Sequence, residues 1–391
     1  MLKRLVKSWT GSVTATPGGT PITKDNLFDT IPADCDQECH SCTIKYPANF
    51  KVEEGRDLWQ TGKEWATHII IATGKSDWVR DVSDEKGSLM EAISEAKKPT
   101  NGKLRVSASN MCPPPEHYTE DAKPTMCIIL PSWIQIERIS TDDVPELIEK
   151  FINPGPTTTT PMPDAAEKTE VEQTELAEGV ARELGGEEEE GEAEHKDGAN
   201  IATSSLQGIP PPGEGYRQEV PNTEPSDTNV GSRDPKTVPQ LTDKLSDLSL
   251  QPAHSQTAAQ LAASSYLKSH ECPHDYLILL CSHKHRDARC GKSAPLIHRE
   301  LRRHLQPLGL YRDIDDFRPG GVGIFFVNHV GGHKWSANMI IYRKKAGQGI
   351  WLARVRPTDV EAIVKWTVLE GKVQPDKIRA GFDRSRGVAS W

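Results

Sequence analysis

The sequence predicts an α/β protein of two similar lobes in tandem, the N-terminal one a degenerate copy, joined by a long acidic linker. Three observations lead there. Short apolar runs bounded by turn residues alternate with helix-periodic stretches near both ends of the 391-residue chain. The runs of the first part recur in the same order in the last part. The middle is too polar to bury a core. The boundaries read as a basic tail over 1–29, an N-lobe over 30–152, a linker over 153–267, a C-lobe over 268–385 and a tail over 386–391.

The basic tail has no acidic residue before Asp25, and Leu2, Leu5, Val6 and Trp9 share one helical face beside Lys3, Arg4 and Lys7. That pattern suits a mitochondrial presequence or a short surface helix. In the N-lobe, His68-Ile69-Ile70-Ile71 reads as a strand that runs into Ala72-Thr73-Gly74-Lys75-Ser76-Asp77-Trp78. Trp133–Ile139 reads as a later strand, and Ser140-Thr141-Asp142-Asp143 starts a helix with Leu147, Ile148 and Phe151 inward.

The linker contains a threonine run (Thr157–Thr160), an acidic run (Glu187–Glu190) and three prolines (Pro210–Pro212), so its apolar surface cannot offset its ordering entropy. Only Leu241–Leu250, with Leu245 and Leu248, has the pattern of a short docking helix. Residues 151–260 carry 21 acidic against 7 basic side chains, a net −14, which leaves about +5 of the chain's −9 for everything else. The acidity therefore belongs to the linker and says little about partners of the lobes. No apolar run approaches the length that crosses a bilayer, about 18–20 residues, so a soluble protein is expected.

In the C-lobe, Leu277-Ile278-Leu279-Leu280 is a strand and Pro295–Gln306 a helix with Leu296, Ile297, Leu301 and Leu305 as its apolar stripe. A strand over 323–329, the turn Val330-Gly331-Gly332, strands over 338–343 and 349–355 and a helix from Thr358 follow. Strand–helix–strand, two more strands and a closing helix is a thioredoxin-like order.

Two ligand pairs stand in this lobe. Cys281-x8-Cys290 and His329-x3-His333 are 38 residues apart, and each pair closes an apolar strand. Two thiolates and two imidazoles brought to strand ends are the donor types of a zinc site or an iron–sulfur cluster. Gly331 and Gly332 allow a tight turn with positive φ, so that both histidines face one point. The N-lobe lacks both pairs.

At these residues the chain resembles the sucrase/ferredoxin-like family, in particular its fungal altered-inheritance-of-mitochondria and actin-patches-distal types. The resemblance is carried by His68–Trp78, by Cys281 to Cys290 with Gly291, and by His329-Val330-Gly331-Gly332-His333, and it spans both lobes but not the linker. It implies a thioredoxin-like ferredoxin domain with a two-iron two-sulfur cluster (2Fe-2S) ligated by Cys281, Cys290, His329 and His333. Thioredoxin-like ferredoxins ordinarily use four cysteines. Two neutral imidazoles in place of thiolates raise the potential, and a free ring nitrogen can exchange a proton as the iron changes oxidation state. The implied function is proton-coupled one-electron transfer in redox homeostasis, with a partner the sequence does not name.

Other constellations point elsewhere. Cys35-x3-Cys39-x2-Cys42 has the spacing of a radical-SAM cluster loop, but the N-lobe lacks the β/α units such enzymes need. Cys39 and Cys42 also form a Cys-x-x-Cys pair, so the trio is a candidate second site for zinc or an accessory redox role, and a thiol oxidoreductase using Cys39 and Cys42 is a further alternative function. Zinc at the first site, in an interaction module, is the alternative to the cluster. No nucleophile–base or carboxylate pair suggests hydrolysis. Lys284, Arg286, Arg289, Lys292, Arg299, Arg302, Arg303, Arg312 and Arg318 would attract an acidic redox partner or the chain's own linker. Without aromatic interleaving they do not predict nucleic-acid binding. His283, His285, His298 and His304 read as exposed, with His283 or His285 as alternative ligand or proton relay. Ala389-Ser390-Trp391 resembles the terminal tripeptide read by the cytosolic iron–sulfur targeting machinery, which favours a cytoplasmic location and an exposed Trp391.

Overall fold

The computed structural model describes residues 22–32, 39, 41–112, 125–162 and 265–391. The basic start of the chain, Cys35, the bulk of the linker and the Leu241–Leu250 patch lie outside them.

The first half runs α1 (Lys24–Leu27), β1 (Thr67–Ala72), α2 (Leu89–Glu95), β2 (Leu104–Ser109), β3 (Thr125–Leu130), β4 (Ile134–Ile139) and α3 (Val144–Glu146), which continues as a π-turn to Ile152. The second half runs β5 (Ser269–Glu271), β6 (Tyr276–Cys281), α4 (Ala288–Leu305), β7 (Tyr311–Arg312), β8 (Val322–Val327), β9 (Met339–Arg343), β10 (Gln348–Leu352), α5 (Val360–Ala362), a π-helical stretch to Glu370, β11 (Ile378–Asp383) and β12 (Val388–Ser390). Among the described residues no helix is long and apolar enough to cross a membrane.

One pairing scheme occurs twice. β1 is parallel to β2 and antiparallel to β3, which pairs antiparallel with β4. Likewise β6 is parallel to β8 and antiparallel to β9, which pairs antiparallel with β10. The central strands are buried on both faces, as parallel strands with near-continuous apolar runs require.

The two sets do not form separate lobes. They are parts of one twelve-stranded mixed sheet, joined where β2 meets β8 at Ser109 and Val327. Two asparagines secure the joint reciprocally: Phe326 N–H donates to Asn110 Oδ1 at 2.8 Å, and Ala108 N–H to Asn328 Oδ1 at 3.2 Å. One sheet face also shares a core. Ile70, Ile128 and Leu130 of the first half pack in one cluster with Leu277, Leu279, Phe325, Tyr342 and Trp351 of the second. Ile69 and Ile71 face a core under α2, while Ile278 and Leu280 face one under α4. Separate lobes would have exposed the shared face to water.

Other boundaries also move. The helix expected from Pro295 begins at Ala288, because Asp287 caps it by accepting from Arg289 N–H at 2.9 Å, and Pro295 lies inside it. The threonine run assigned to the linker is held: Thr158 is 2% exposed and donates to the Trp65 carbonyl at 2.9 Å. Leu267, at the linker's other end, is buried. The C-terminal tail is β12, and Trp391 is half-buried with its ring 4.1 Å from that of Trp65, so it is no free end.

Candidate metal centre

The parallel register of β6 and β8 sets Cys281 opposite Val327, which places His329 beside the strand-end thiol. Cys281 Sγ lies 3.9 Å from His329 Nδ1. The Asp287 cap folds the first turn of α4 so that Cys290 N–H donates to the Asp287 carbonyl at 3.1 Å and its thiol points inward. The ligand atoms of Cys281, Cys290 and His329 all lie within 4.8 Å of one another. Both cysteines are buried and His329 is half-buried.

The two thiols lie within hydrogen-bonding reach of each other. Their hydrogen bond holds Cys281 below the ordinary thiol range despite burial, and the same bond pushes Cys290 far up. Cys290 Sγ also lies 3.3 Å from Ser336 Oγ. Two buried cysteine sulfurs beside an imidazole are a donor set for a soft or borderline metal, so these residues fit such a group.

His333 joins from outside. Gly331 (φ +95°) and Gly332 (φ +69°) turn the chain, and His333 Nδ1 reaches His329 Nε2 at 3.4 Å. Its side chain is 43% exposed, and Nε2 lies 4.0 Å from Asp287 Oδ2. Partial burial lowers its pKa. Cys281, Cys290 and His329 are thus gathered, while His333 touches His329 and faces solvent.

The surrounding shell places residues where the sequence did not put them. His283, expected at the surface, is fully buried: its Nδ1 accepts from His329 N–H at 3.2 Å and its Nε2–H donates to the Trp78 carbonyl at 2.9 Å. Those two bonds require the neutral Nε2–H tautomer, and burial lowers its pKa accordingly. His283 therefore positions His329 and leaves no nitrogen free for a metal. His285 is exposed and pairs with Asp77 at 2.6 Å, while Ser282 Oγ donates to the Ser76 carbonyl at 2.8 Å. The loop after β1 in the first half therefore buttresses the ligand loop of the second. By register Ala72 stands where Cys281 stands, and Met111 follows Asn110 as His329 follows Asn328. The first copy supports the site without repeating its ligands.

Two arginines grip the histidine turn from beneath. Arg105 donates to the Val330 carbonyl at 3.1 Å and lies over Trp65 and Trp351. Arg379, 2% exposed, donates to the Gly331 carbonyl at 3.1 Å, to Asn338 Oδ1 at 2.7 Å and to Thr61. Burial brings Arg105 down to about 10 and Arg379 to about 9, while the nearby Cys281 acts on each in the opposite direction. Neither has a carboxylate partner among the described residues. Arg379 escaped notice because β11 was not anticipated.

Of the N-terminal trio, Cys35 lies outside the described residues, Cys39 is buried and Cys42 half-buried. Cys39 and Cys42 are not at this centre. Cys39 packs against His304 in the last turn of α4, fourteen residues beyond Cys290 and so about 21 Å along the helix.

The sequence signature of the family described as sucrase/ferredoxin-like matches residues 58–380. The chain is 46% identical over 105 residues to Actin patches distal protein 1 of Saccharomyces cerevisiae, covering 26% of this chain and 33% of that protein. It is 40% identical over 100 residues to Altered inheritance of mitochondria protein 32 of Clavispora lusitaniae, covering 26% and 33%. A protein of the same name from Candida glabrata is 29% identical over 137 residues, 33% of this chain and 39% of that one. The chain thus aligns with a third or so of each of these relatives. No solved structure matches it.

Proposed function

The chain belongs to the sucrase/ferredoxin-like family, and on that premise we propose that it carries single electrons on a two-iron two-sulfur cluster held by Cys281, Cys290, His329 and His333. The observation that carries this reading is the convergence of two buried cysteines and His329 within 4.8 Å, with His333 against His329 on the solvent side. The repeated strand order supports reading each half as a thioredoxin-like copy, with only the second equipped with ligands. When bound, a cluster with two imidazole ligands supplies a one-electron couple at a higher potential than one with four thiolates.

The chain's own residues set the conditions. Cys281 and Cys290 would bind as thiolates, releasing their thiol protons on loading, and their burial keeps the sulfur side dry. His283 fixes the His329 backbone. The Nε2 of His333, near Asp287 and open to water, is the place where a proton can be held or exchanged. Arg105 and Arg379 put buried positive charge beneath the site. Lys284 and Arg286, exposed on the ligand loop, suit docking of an acidic redox protein.

Anaerobic visible absorption and EPR of the full chain, beside a His329→Ala/His333→Ala double variant, test the reading. A coloured protein, EPR-active when reduced and altered in the variant, is expected. A colourless protein holding zinc at these cysteines would replace it with a zinc-stabilised interaction module.

A further inference from the structure

A second group of metal-binding side chains gathers at the far end of α4. We propose that Cys39, Cys42, His304 and Glu361 bind a zinc ion that staples the N-terminal segment to the end of α4 and the start of α5. The proposal is independent of the centre at Cys281.

Four observations support it. Cys39 Sγ stands 3.8 Å from His304 Nε2, and the ligand atoms of Cys39, His304 and Glu361 lie within 4.8 Å of one another. Tetrahedral zinc with one sulfur and one nitrogen ligand holds them about 3.6 Å apart, so little movement closes the site. Cys39 is 6% exposed and anchored by its N–H to the Thr358 carbonyl at 2.7 Å. Cys42 follows in a tight turn, its N–H donating to the Cys39 carbonyl at 3.4 Å; its thiol rests on the Ile44 carbonyl at 3.5 Å and would rotate from there to complete a Cys-x2-Cys zinc grip.

A cation already sits at the meeting point. Arg303 Nη2 lies 3.3 Å from Cys39 Sγ, 2.9 Å from His304 Nε2 and 2.7 Å from Glu300 Oε2. With His304 Nε2 accepting from a guanidinium, that nitrogen carries no proton and is free to ligate a metal. The Arg303 side chain is 41% exposed, so it can swing outward and leave its place to a metal while still pairing with Glu300, which is 2% exposed. Zinc would displace one proton from each thiol. Two thiolates, one carboxylate and one imidazole around Zn²⁺ then carry a net charge of about −1, which Arg303 offsets from the rim.

The test loads the full chain with zinc sulfate, desalts it, and measures zinc and iron in the same sample by mass spectrometry. Retention of about one zinc per chain is expected, with at least a tenfold loss in Cys39→Ser/His304→Ala and unchanged iron. Glu361→Gln alters an exposed residue that folding does not need, and should weaken zinc binding about tenfold in a competition titration with a chelator. A wild-type chain that retains no zinc would show Arg303 to be the permanent occupant and overturn the proposal. Zinc retained equally by both variants would overturn it too, by locating the metal elsewhere.

Discussion

Replacing Gly332 with alanine probes how the turn between the two histidines is held. Gly331 and Gly332 both have left-handed backbone, at φ +95° and +69°, where an L side chain costs about 1–2 kcal/mol. Their surroundings differ. A Cβ on Gly331 would meet nothing within 4 Å, whereas on Gly332 it would come within 2.7 Å of Arg379 Nη1 and 2.8 Å of its Cζ. A guanidinium at the surface would step aside, but this one is 2% exposed, stacked 4.2 Å from the Trp351 ring and bonded to Thr61, Gly331 and Asn338. Losing one of its Nη1 bonds would cost about 1.5–3 kcal/mol. Gly331→Ala should therefore destabilise by about 1–2 kcal/mol and Gly332→Ala by about 3–5 kcal/mol. Urea unfolding of the full chain, followed by tryptophan fluorescence, measures both. Gly332→Ala combined with Arg379→Met should cost less than the two changes summed, because the clash partner is gone. Equal destabilisation by the two alanines, or strict additivity in the double variant, would refute the assignment of the turn's rigidity to Arg379.

Two further predictions concern histidines. His283→Leu leaves the His329 N–H and the Trp78 carbonyl without their partner, at about 1–3 kcal/mol each, so about 2–6 kcal/mol of stability and much of the bound iron should be lost. His283→Gln, which can restore one bond, should recover part of both, and a leucine variant with unchanged iron content would remove His283 from the positioning role. His274, 3% exposed, is brought down to about 4 by burial from an ordinary 6.5, so it stays neutral in the folded chain while the unfolded chain takes up a proton. Its contribution is complete above about pH 6.5 and fades as the pH falls toward 4, a loss of about 3 kcal/mol, and fully buried His68 acts in the same direction. Urea midpoints at pH 7 and pH 4.5 should differ clearly in the wild type and less in His274→Gln. Matching acid limbs would contradict this.

Some of this was legible because the code for it is local. The run from Leu277 to Cys281 declares a doubly buried strand by composition alone, and Gly331-Gly332 declares a turn that only residues without Cβ enter cheaply. Donor chemistry is equally local, so Cys281, Cys290, His329 and His333 stand out as a set in the sequence alone. The likeness of His68–Trp78 to the ligand strand and its loop was also readable, since both copies keep the same alternation.

Only the tertiary structure decided what those pieces do to one another. Asn110 and Asn328 look like ordinary turn residues, yet they stitch β2 to β8, because an edge strand's unpaired groups must find partners somewhere. Merging the halves then buried a common sheet face, turned the loop of the ligand-free copy into a support for His283 and drew Trp391 against Trp65. Cys39 and His304 lie 265 positions apart and meet only because the N-terminal segment packs on the end of α4. Spacing along a chain reveals which side chains are able to bind or bond. Which of them meet, and which stay dry, depends on long-range packing, where burial energy summed over many residues outweighs any local preference.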